Sequence, residues 1–479
     1  MKSCRPRLAF FFLLASLPMT LGEIGAAQQP TDLQITSWVE EAIHEEPFIH
    51  ASKIAVKTRN GIVTLSGMVR TLAGKKFMVS EAKKVRGVQG VMDEMTVFSP
   101  PRPMVDVRQD VSRKLIHNAD LSRDSIQVET SLEGKLILSG HVDSWTQRQE
   151  AELLASEVRG VNVIVNLIRV AYKQERSDPA IQRDVIANLE RDAYLSDLPI
   201  SVTVEDGVVT LRGVVGSLYE KERAYGESVV VYNVRDVRNL LDVKTEKDSF
   251  VRRHVPLPSD EELEKAIRAE LAQDLRLMDP DELSITVING NVTLRGTVES
   301  FYQKQLAGKD VGNVVGVGWV DNLLTVKAPW RADSSLRDDL QFDMDTDPYL
   351  NGEDIRIQVR QGVVTLTGQV NTFYQKLHAG EVASRVLGVR EVVNVLTVRQ
   401  PVKFSDAALK ERIWKRLVAN AITGPAAEKI TLNVEHGKAV LSGHLDSWAQ
   451  YQEAARVTLL TQGVRGLDNR LTVGGSRHG

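Results

Sequence analysis

Five basic side chains recur at nearly constant intervals along the sequence. Each follows a glycine by eight residues, and together they could attract the anionic headgroups of a membrane surface, because weak contacts repeated on one flexible chain add up through multivalency. The alternative is that they belong to a solvated helix face with neighbouring glutamates. The candidate lipid-binding residues are Lys75, Arg148, Lys221, Lys304 and Lys376, and the sixth position carries Tyr451.

The sequence offers no comparable set of residues for catalysis or for binding a metal. The nine histidines occupy unrelated places, and no pair has helical ligand spacing with a carboxylate partner, so we expect no metal site. No Ser-His-Asp arrangement or long phosphate loop is suggested, and an active site normally needs one asymmetric set of groups. We therefore expect no enzyme activity, no cofactor and no small-molecule substrate.

The first 27 residues have the pattern of an export signal. Basic residues precede an apolar run of 14 residues, Leu8 to Leu21, and small residues at Gly25 and Ala27 suit cleavage. Cys4, the only cysteine, lies before this run, which argues against a lipid-modified amino terminus. Cleavage would leave a chain without thiols, so we expect no disulfide and no thiolate metal site.

Charge gives a further constraint on the partners. Removal of residues 1 to 27 takes away three basic residues and one acidic residue, so the formal net charge changes from -3 to -5. A mildly acidic chain is unlike a nucleic-acid-binding protein. We expect a soluble exported protein that is not a lipoprotein and does not bind nucleic acid.

A phrase with two glycines six residues apart recurs six times and predicts a β-hairpin. Apolar residues alternate on both sides of the first glycine, as in Ile54 and Val56 before it and Val63 and Leu65 after it, which is typical of strands with one buried face. The residue pair between these runs suits a turn with positive backbone angles. The second glycines, taken as reference positions, are Gly67, Gly140, Gly213, Gly296, Gly368 and Gly443.

Each hairpin is followed by a helix start and a helix end. A hydroxyl residue stands four positions after the reference glycine, and Gln or Glu follows three residues later except at Gly74, which is a capping box. Near position twenty, five copies have glycine and the third has Asn233, both of which suit a left-handed helix end. Alternation then resumes, and an amphipathic helix precedes each hairpin, so the unit reads helix, strand, strand, helix, strand with a mixed sheet.

Two other recurrent sets have more than one interpretation. Aromatic residues at the start of the second helix could enter a membrane interface, but we favour packing against the sheet. An asparagine in the third strand, replaced by Asp93 in the first copy, could bind a ligand, but we favour the satisfaction of backbone groups. The aromatic residues are Trp145, Trp448, Phe301, Phe373, Tyr219, Tyr302 and Tyr374, and the asparagines are Asn166, Asn239, Asn322, Asn394 and Asn469.

The pattern V-T-L-x-G, a capping Ser or Thr, a helix, and G-V-x-x-V-x-N-x-L-x-V resembles the BON domain, the bacterial OsmY and nodulation module. The resemblance covers nearly all of residues 30 to 474 in six copies. It implies an α+β fold, namely a tandem array of six small αββαβ domains, each with a three-stranded mixed sheet and two helices. It also implies a periplasmic location, no catalytic residues, and roles in envelope integrity, osmotic stress, anionic phospholipid binding or assistance to envelope proteins.

The repeat spacing divides the chain into two halves of three domains. Short proline-containing connecting segments such as residues 99 to 104 favour semi-rigid spacing between domains. The expected segments are a signal peptide at 1-27, domains at 30-98, 103-171 and 178-245, a linker at 246-258, and domains at 259-328, 332-399 and 405-474.

We therefore expect a non-enzymatic periplasmic protein that contacts anionic phospholipid of the envelope membranes. The alternative is a chaperone or adaptor for outer-membrane or other envelope proteins, with the exposed edge of each small sheet available for strand addition.

Overall fold

The computed structural model describes most of the chain outside its first 28 residues. The expected signal peptide, residues 1-27, and most of the expected linker lie outside the described residues. The described ranges are 29-44, 54-99, 101-121, 126-131, 134-172, 175-245, 252, 256-273, 283-399 and 404-473.

The N-terminal half contains three copies of the unit helix, strand, strand, helix, strand, which we number as domains 1 to 3. Domain 1 comprises α1 (Asp32–His44), β1 (Ile54–Arg59), β2 (Ile62–Val69), α2 (Leu72–Lys83) and β3 (Gly90–Val97). Domain 2 comprises α3 (Met104–His117), β4 (Ile126–Thr130), β5 (Lys135–Val142), α4 (Trp145–Glu157) and β6 (Val163–Val170). Domain 3 comprises α5 (Asp178–Arg191), β7 (Ile200–Glu205), β8 (Val208–Val215), α6 (Leu218–Val229) and β9 (Asp236–Val243).

The C-terminal half repeats the unit as domains 4 to 6, with some strands divided. Domain 4 comprises α7 (Asp260–Gln273), β10 (Ser284–Ile288), β11 (Asn291–Arg295), β12 (Thr297–Val298), α8 (Phe301–Gly312), β13 (Trp319–Asn322) and β14 (Thr325–Val326). Domain 5 comprises α9 (Asp333–Thr346), β15 (Asp354–Arg360), β16 (Val363–Val370), α10 (Phe373–Ser384), β17 (Glu391–Asn394) and β18 (Thr397–Val398). Domain 6 comprises α11 (Asp406–Ala419), a 3-10 helix (Gly424–Lys429), β19 (Ile430–Glu435), β20 (Lys438–Leu445), α12 (Trp448–Leu459) and β21 (Gly466–Val473).

The expected mixed sheets are confirmed in all six domains. In domain 1 the sheet order is β1-β2-β3, with an antiparallel first pair and a parallel second pair. The parallel pair aligns each residue with the one 28 positions later, as in Val63 with Val91, and the same offset holds in domain 6 for Ala439 with Leu467. The second helix carries the chain across between these two strands.

The turn and cap residues adopt the backbone angles that the sequence predicts. Asn60 and Gly61 both have positive φ, 51° and 73°, as a two-residue hairpin turn requires. Asn233 takes the helix-end position with φ 70°. The reference glycine has a separate reason, because a Cβ at Gly368 would lie 1.9 Å from the carbonyl oxygen of Asp354 on the first strand. Any side chain there would separate the hairpin strands.

Each domain has its own hydrophobic core, and each core also receives a side chain from another domain. In all six cores one donated residue is the first residue of a second helix, so the aromatic residues at this position are at least partly buried between domains rather than packed on their own sheet. Ala73 of domain 1 also enters the core of domain 5, in the other half of the chain. Leu72 packs on the core of domain 2, Trp145 on domain 3, Leu218 on domain 1, Phe301 on domain 5, Phe373 on domain 6, and Trp448 on domain 4.

This pattern of insertion closes on itself after every third domain. Domain 1 inserts into 2, 2 into 3, and 3 back into 1, and domains 4, 5 and 6 repeat the cycle. We call these the N-terminal ring (domains 1 to 3) and the C-terminal ring (domains 4 to 6). The expectation of semi-rigidly spaced domains is therefore wrong, because every core is completed by a neighbouring domain.

Replacement of Trp448 by Ala tests the cyclic order. Trp448 is 7% exposed, and its indole occupies space beside Gly312, where a Cβ would lie only 2.4 Å away. Since truncation of a buried Trp typically costs about 3 to 5 kcal/mol, we expect a loss of that order, with hydrogen-exchange protection falling in domain 4 as well as domain 6. Loss of protection confined to domain 6 would contradict the cycle. Trp330→Ala, at a side chain that is 89% exposed, is the control and should change stability by less than about 0.5 kcal/mol.

Candidate functional site

The recurrent cations lie half-buried against the third strand of their own domains. Lys75 Nζ donates to the carbonyl of Met95 at 2.6 Å and pairs with Asp93 at 3.2 Å. Lys221 Nζ donates to the carbonyl of Leu241 at 2.6 Å. A side chain held in this way satisfies backbone groups and is only partly available to a ligand.

In domain 2 the same contact is made by an arginine. Arg148 donates to the carbonyls of Ile168 and Asn166, both at 3.0 Å, and its guanidinium lies 4.6 Å from the ring centroid of Trp145. Lys304 and Lys376 occupy the matching half-buried positions in domains 4 and 5. None of the five candidate cations is brought into a shared site, so their role in lipid binding stays a prediction.

The recurrent asparagines lie in the third strand and bond both to the backbone of that strand and to the backbone of the second helix. In domain 3, Asn239 accepts from the backbone N–H of Leu241 at 3.3 Å and donates to the carbonyl of Lys221 at 2.7 Å. The first of these bonds recurs in every domain, with Asp93 taking the place of asparagine in domain 1. The interpretation that this residue satisfies backbone groups is confirmed.

Together the cation and the asparagine protect the free edge of the sheet. The N–H and the C=O of Ile168 bond to the side chains of Asn166 and Arg148, so both groups point away from the neighbouring strand β5. An incoming strand would need these same groups. We call this arrangement the edge lock. In domains 1 to 3 this position of the third strand is therefore closed to an incoming strand, and strand addition at the other exposed edges stays a prediction.

The tyrosines one position inside the second helix also lie between packed elements. Tyr219 makes an edge-to-face contact with Tyr194 at 5.5 Å between ring centroids. Tyr374 lies 5.6 Å from Phe77 of domain 1, and the Arg385 guanidinium lies 5.8 Å from the ring centroid of Tyr302. These rings are held by protein contacts, as the packing interpretation expects.

The two rings meet at three joints, which pair domain 1 with 6, domain 2 with 5, and domain 3 with 4. Each joint is a short antiparallel bridge between the end of a first helix in one domain and the end of a second helix in the other. The bridging residue pairs are Val85 with Asn420, Asn118 with Val386, and Asp192 with Val314. The two backbone hydrogen bonds of each bridge measure 2.7 Å and 2.7 Å, 2.9 Å and 2.9 Å, and 2.9 Å and 2.8 Å, in the same order.

Ion pairs cross each joint beside the backbone bridge. Arg456 pairs with Glu81 and Arg412 with Glu41, both at 3.2 Å, in joint 1–6. In joint 2–5, Arg385 lies 3.5 Å from Glu150 and also 3.5 Å from Glu157, and Arg113 pairs with Asp339 at 3.3 Å. Joint 3–4 contains Arg191 and Glu270 at 3.4 Å.

In four domains a polar pair holds the residue at the end of the first helix, and in three of them this residue makes a bridge. Where the first helix ends in asparagine, the side chain ten positions after the reference glycine is glutamate, and where it ends in aspartate, that side chain is a cation. The pairs are Asn118 with Glu150 (3.4 Å), Asp192 with Arg223 (2.6 Å), Asp347 with His378 (2.8 Å) and Asn420 with Glu453 (2.8 Å).

Strong pKa shifts concentrate at these joints. Burial alone would raise the pKa of Glu81, but Arg456 and Lys84 outweigh it and hold the pKa at about 2. Burial raises the pKa of Asp343 to about 7 despite the opposing charge of Lys114. Burial, followed by the nearby carboxylate of Asp192, raises the pKa of Glu227 to about 8.

His378 shows the balance of burial and pairing most clearly. Burial alone would lower its pKa, but the Asp347 carboxylate overcomes this effect and raises the pKa to about 10. The imidazole therefore carries a charge at neutral pH and lies between Tyr374, stacked at 5.4 Å, and Tyr349, edge-on at 5.0 Å. Such pairs perturb pKa values for structural reasons, without a reacting group nearby.

Sequence reasoning missed the joint residues and a recurrent aspartate. This aspartate lies in the first turn of the first helix and accepts both backbone N–H groups of the hairpin turn, as Asp178 does from Asp206 and Gly207 at 2.8 Å and 2.9 Å. Its nearly constant distance of 35 to 37 residues before the reference glycine could have revealed it. The joints could have been revealed by the charge of the side chain ten positions after that glycine, which changes with the residue at the end of the first helix. The aspartates that make these bonds are Asp32, Asp178, Asp260, Asp333 and Asp406.

Two features common at functional sites are absent from the part of the chain that the structure describes. No group of three or more His, Cys, Asp and Glu residues is arranged to hold a metal ion there. Over the same residues, no helix is long and apolar enough to cross a bilayer.

Comparison with protein families gives matches to the BON domain in six places. They cover residues 31–98, 105–172, 177–245, 259–328, 332–400 and 405–475. Each match contains one hairpin, one edge lock position and one inserted side chain of the kind described above.

Two curated relatives are similar over about the length of two domains. Osmotically-inducible protein Y of Escherichia coli is 33% identical over 142 residues, covering 28% of this chain and 70% of the relative. Outer membrane lipoprotein DolP of Haemophilus influenzae is 30% identical over 141 residues, covering 28% of this chain and 72% of the relative.

Solved structures with partial similarity come from type III secretion systems. The C-terminal domain of CdsD from Chlamydia trachomatis is 16% identical and matches 45% of this chain and 100% of its own length, with a TM-score of 0.13. The PrgH periplasmic domain is 10% identical and matches 43% of this chain and 98% of its own length, also at a TM-score of 0.13.

Replacement of Asn166 by Ala tests the edge lock. The change leaves the N–H of Ile168 without its acceptor, and an unsatisfied buried backbone group costs about 1 to 3 kcal/mol. We expect a loss of stability in that range in urea unfolding, together with light scattering that rises with protein concentration as exposed edges pair. Asn291→Ala, at an exposed strand position, is the control. If Asn166→Ala behaved like this control, the edge lock would have no stabilising role.

Replacement of His378 by Gln tests the buried ion pair through its pH dependence. The pKa is about 10 in the folded protein against an ordinary value of 6.5, so the pair stabilises fully below pH 6.5 and loses this effect as the pH rises through 10. The variant should be less stable at pH 6 by about 3 to 5 kcal/mol, the usual cost of breaking a buried pair. The difference from the parent protein should shrink towards pH 10. A difference in the free energy of unfolding that is constant with pH would show that His378 is not charged in the folded state.

Proposed function

This chain belongs to the BON domain family, and from that premise we propose that it is a non-enzymatic binding protein of the cell envelope, located in the periplasm. The membrane component that it contacts is anionic phospholipid. Its relatives include an osmotically inducible protein and an outer-membrane lipoprotein, so the proposed role is maintenance of the envelope, including under osmotic stress.

The observation that supports membrane contact is an exposed aromatic residue in each ring, in the segment that connects its first domain to its second. Phe98 follows domain 1 and is 66% exposed, and Trp330 follows domain 4 and is 89% exposed. Exposed aromatic rings are favoured at a bilayer interface. Both side chains lie just after the last strand of the first domain of a ring, in contrast to the aromatic residues of the second helices, which pack against other parts of the protein.

Basic residues accompany both exposed rings. The exposed Arg70 neighbours Phe98, because its carbonyl accepts a hydrogen bond of 2.7 Å from Ser99, the residue after Phe98. The exposed Lys327 lies three positions before Trp330. An aromatic ring with a nearby cation suits an anionic bilayer, since the ring enters the interface while the charge stays among the headgroups. The two sites lie on one packed body, so they would act together.

A second candidate function is strand addition by an unfolded envelope protein, and one strand favours it. The strand β10 of domain 4 is the first strand of its sheet and has the uncharged sequence SITVI. Its last residue, Ile288, is 63% exposed. Because the edge lock closes the third strands of domains 1 to 3, a first strand such as β10 is the better candidate for an adaptor of this kind.

Sedimentation with vesicles tests the leading function. We expect the protein to pellet with phosphatidylglycerol vesicles, not with phosphatidylcholine vesicles, and to be released as salt is raised. The double variant Phe98→Ser and Trp330→Ser should lose at least about tenfold in affinity, because burying one apolar side chain is worth about 1.5 to 3 kcal/mol. Leu33→Ser, at a side chain that is 83% exposed elsewhere, should bind like the parent protein.

The same assay separates the recurrent cations from the aromatic sites. Charge reversal at Lys304 and Lys376 should reduce binding if the recurrent cations contact headgroups. No pelleting with anionic vesicles, together with suppressed aggregation of an unfolded outer-membrane protein, would overturn the membrane proposal and favour the adaptor. An Ile288→Lys variant that lost this suppression would then assign it to β10.

A further inference from the structure

The face that each ring presents to the other has the character of a protein–protein interface. All three joints use the same parts, namely the end of a first helix, the end of a second helix and a pair of backbone hydrogen bonds. None of the joint contacts described above comes from residues 246 to 258, which connect the two rings in sequence. Arg252 of this segment pairs with Asp197 and Glu220, which both belong to domain 3 of the N-terminal ring.

The charges at the joints distinguish the two rings. Domain 1 offers Glu41 and Glu81 to arginines of domain 6. Domain 2 offers Glu150 and Glu157 to Arg385 of domain 5. The N-terminal ring supplies the arginine at joint 3–4, and at joint 2–5 it also supplies Arg113 to Asp339. Acidic groups of the N-terminal ring nevertheless receive arginines of the C-terminal ring at joints 1–6 and 2–5.

This arrangement disfavours the pairing of two identical rings. Suppose that two N-terminal rings met face to face with the same twofold relation between domains. One domain would then face its own copy and the other two would face each other, so the arginines that domains 5 and 6 supply to Glu150 and Glu81 would be missing. A buried carboxylate left without its cation is costly, and such a cost selects against the wrong partner.

We infer that the surface of the N-terminal ring that carries the three joints is a binding site for any C-terminal ring of this sequence. The C-terminal ring of a second copy of this chain can therefore occupy it. The covalent connection through residues 246 to 258 raises the local concentration of the correct partner but does not make the contact. Two copies that open can therefore exchange rings and close again as a reciprocal dimer, since each copy has one ring of each kind.

The chemistry of the joints predicts how this exchange responds to charge. Glu41 and Arg412 are each about 28% exposed and 3.2 Å apart, so reversing one of them should not open a hydrophobic core. Arg412→Glu would place like charges across joint 1–6 and should speed dissociation of the rings by about tenfold or more. Exchanging both charges, Glu41→Arg with Arg412→Glu, should restore most of the loss.

Cleavage of the connecting segment in the full-length protein tests the inference. A specific protease site is placed within residues 246 to 258, the folded protein is cut, and its mass is measured by light scattering. We expect the two fragments to remain one particle with the mass of the uncut chain. Separation of the fragments in physiological buffer would overturn the inference.

Exchange between molecules is measured on the same cut protein. A cut sample with an affinity tag on its N-terminal fragment is mixed with an untagged cut sample that carries a fluorescent C-terminal fragment. We expect the fluorescent fragment to be captured over time, and captured faster for Arg412→Glu than for the matched variant Lys410→Glu, an exposed position on the same helix. Failure of capture by fragments that stay associated would restrict the contact to one chain and overturn the second-copy partner. Capture of a labelled N-terminal fragment by the tagged N-terminal fragment would contradict the selection by charge.

Discussion

The insertion of one apolar side chain from each domain into the core of another is the contact on which the rest of this structure depends. A domain of this size buries only about 60% of its unfolded surface, so its core gains much from one more apolar group. Because every domain both gives and receives such a group, the cycle must close, and it closes after three domains. A ring of three is therefore the unit that closes this cycle of insertions, and Ala73 of domain 1 adds a contact from the N-terminal ring to the core of domain 5.

The ring arrangement explains where the buried charges lie. Closing each ring leaves the ends of the helices directed towards the other ring, and helix ends carry unpaired backbone groups. The joints satisfy some of these groups by short backbone bridges and surround them with ion pairs. Shifted pKa values such as those of His378 and Asp343 follow from this burial. These shifts arise from ion pairs within a domain, as for His378, and across a joint, as for Glu81.

The residues that recur in all copies and those proposed to bind partners form different sets. Recurrent residues such as Asn166 and Arg148 satisfy the free edge of a strand, and recurrence reflects that structural need. Phe98, Trp330 and Ile288 are exposed and are not repeated in every copy. A repeated scaffold with variable exposed positions allows each domain to keep its fold while only some of them contact a partner.

The sequence by itself determined the local structure, because turns, caps and strand alternation depend on neighbouring residues. The hairpin glycines, the capping boxes, Asn233 at a helix end and the mixed sheet all follow from short-range backbone requirements. The family resemblance followed from the same signals. Only the tertiary structure decided that Trp448 fills the core of domain 4, that Lys221 binds a strand edge, and that domain 1 meets domain 6. These contacts join residues far apart in the chain, and an apolar side chain has the same preference for burial in any core. The choice among cores is made by shape and charge complementarity that exists only once the domains have folded.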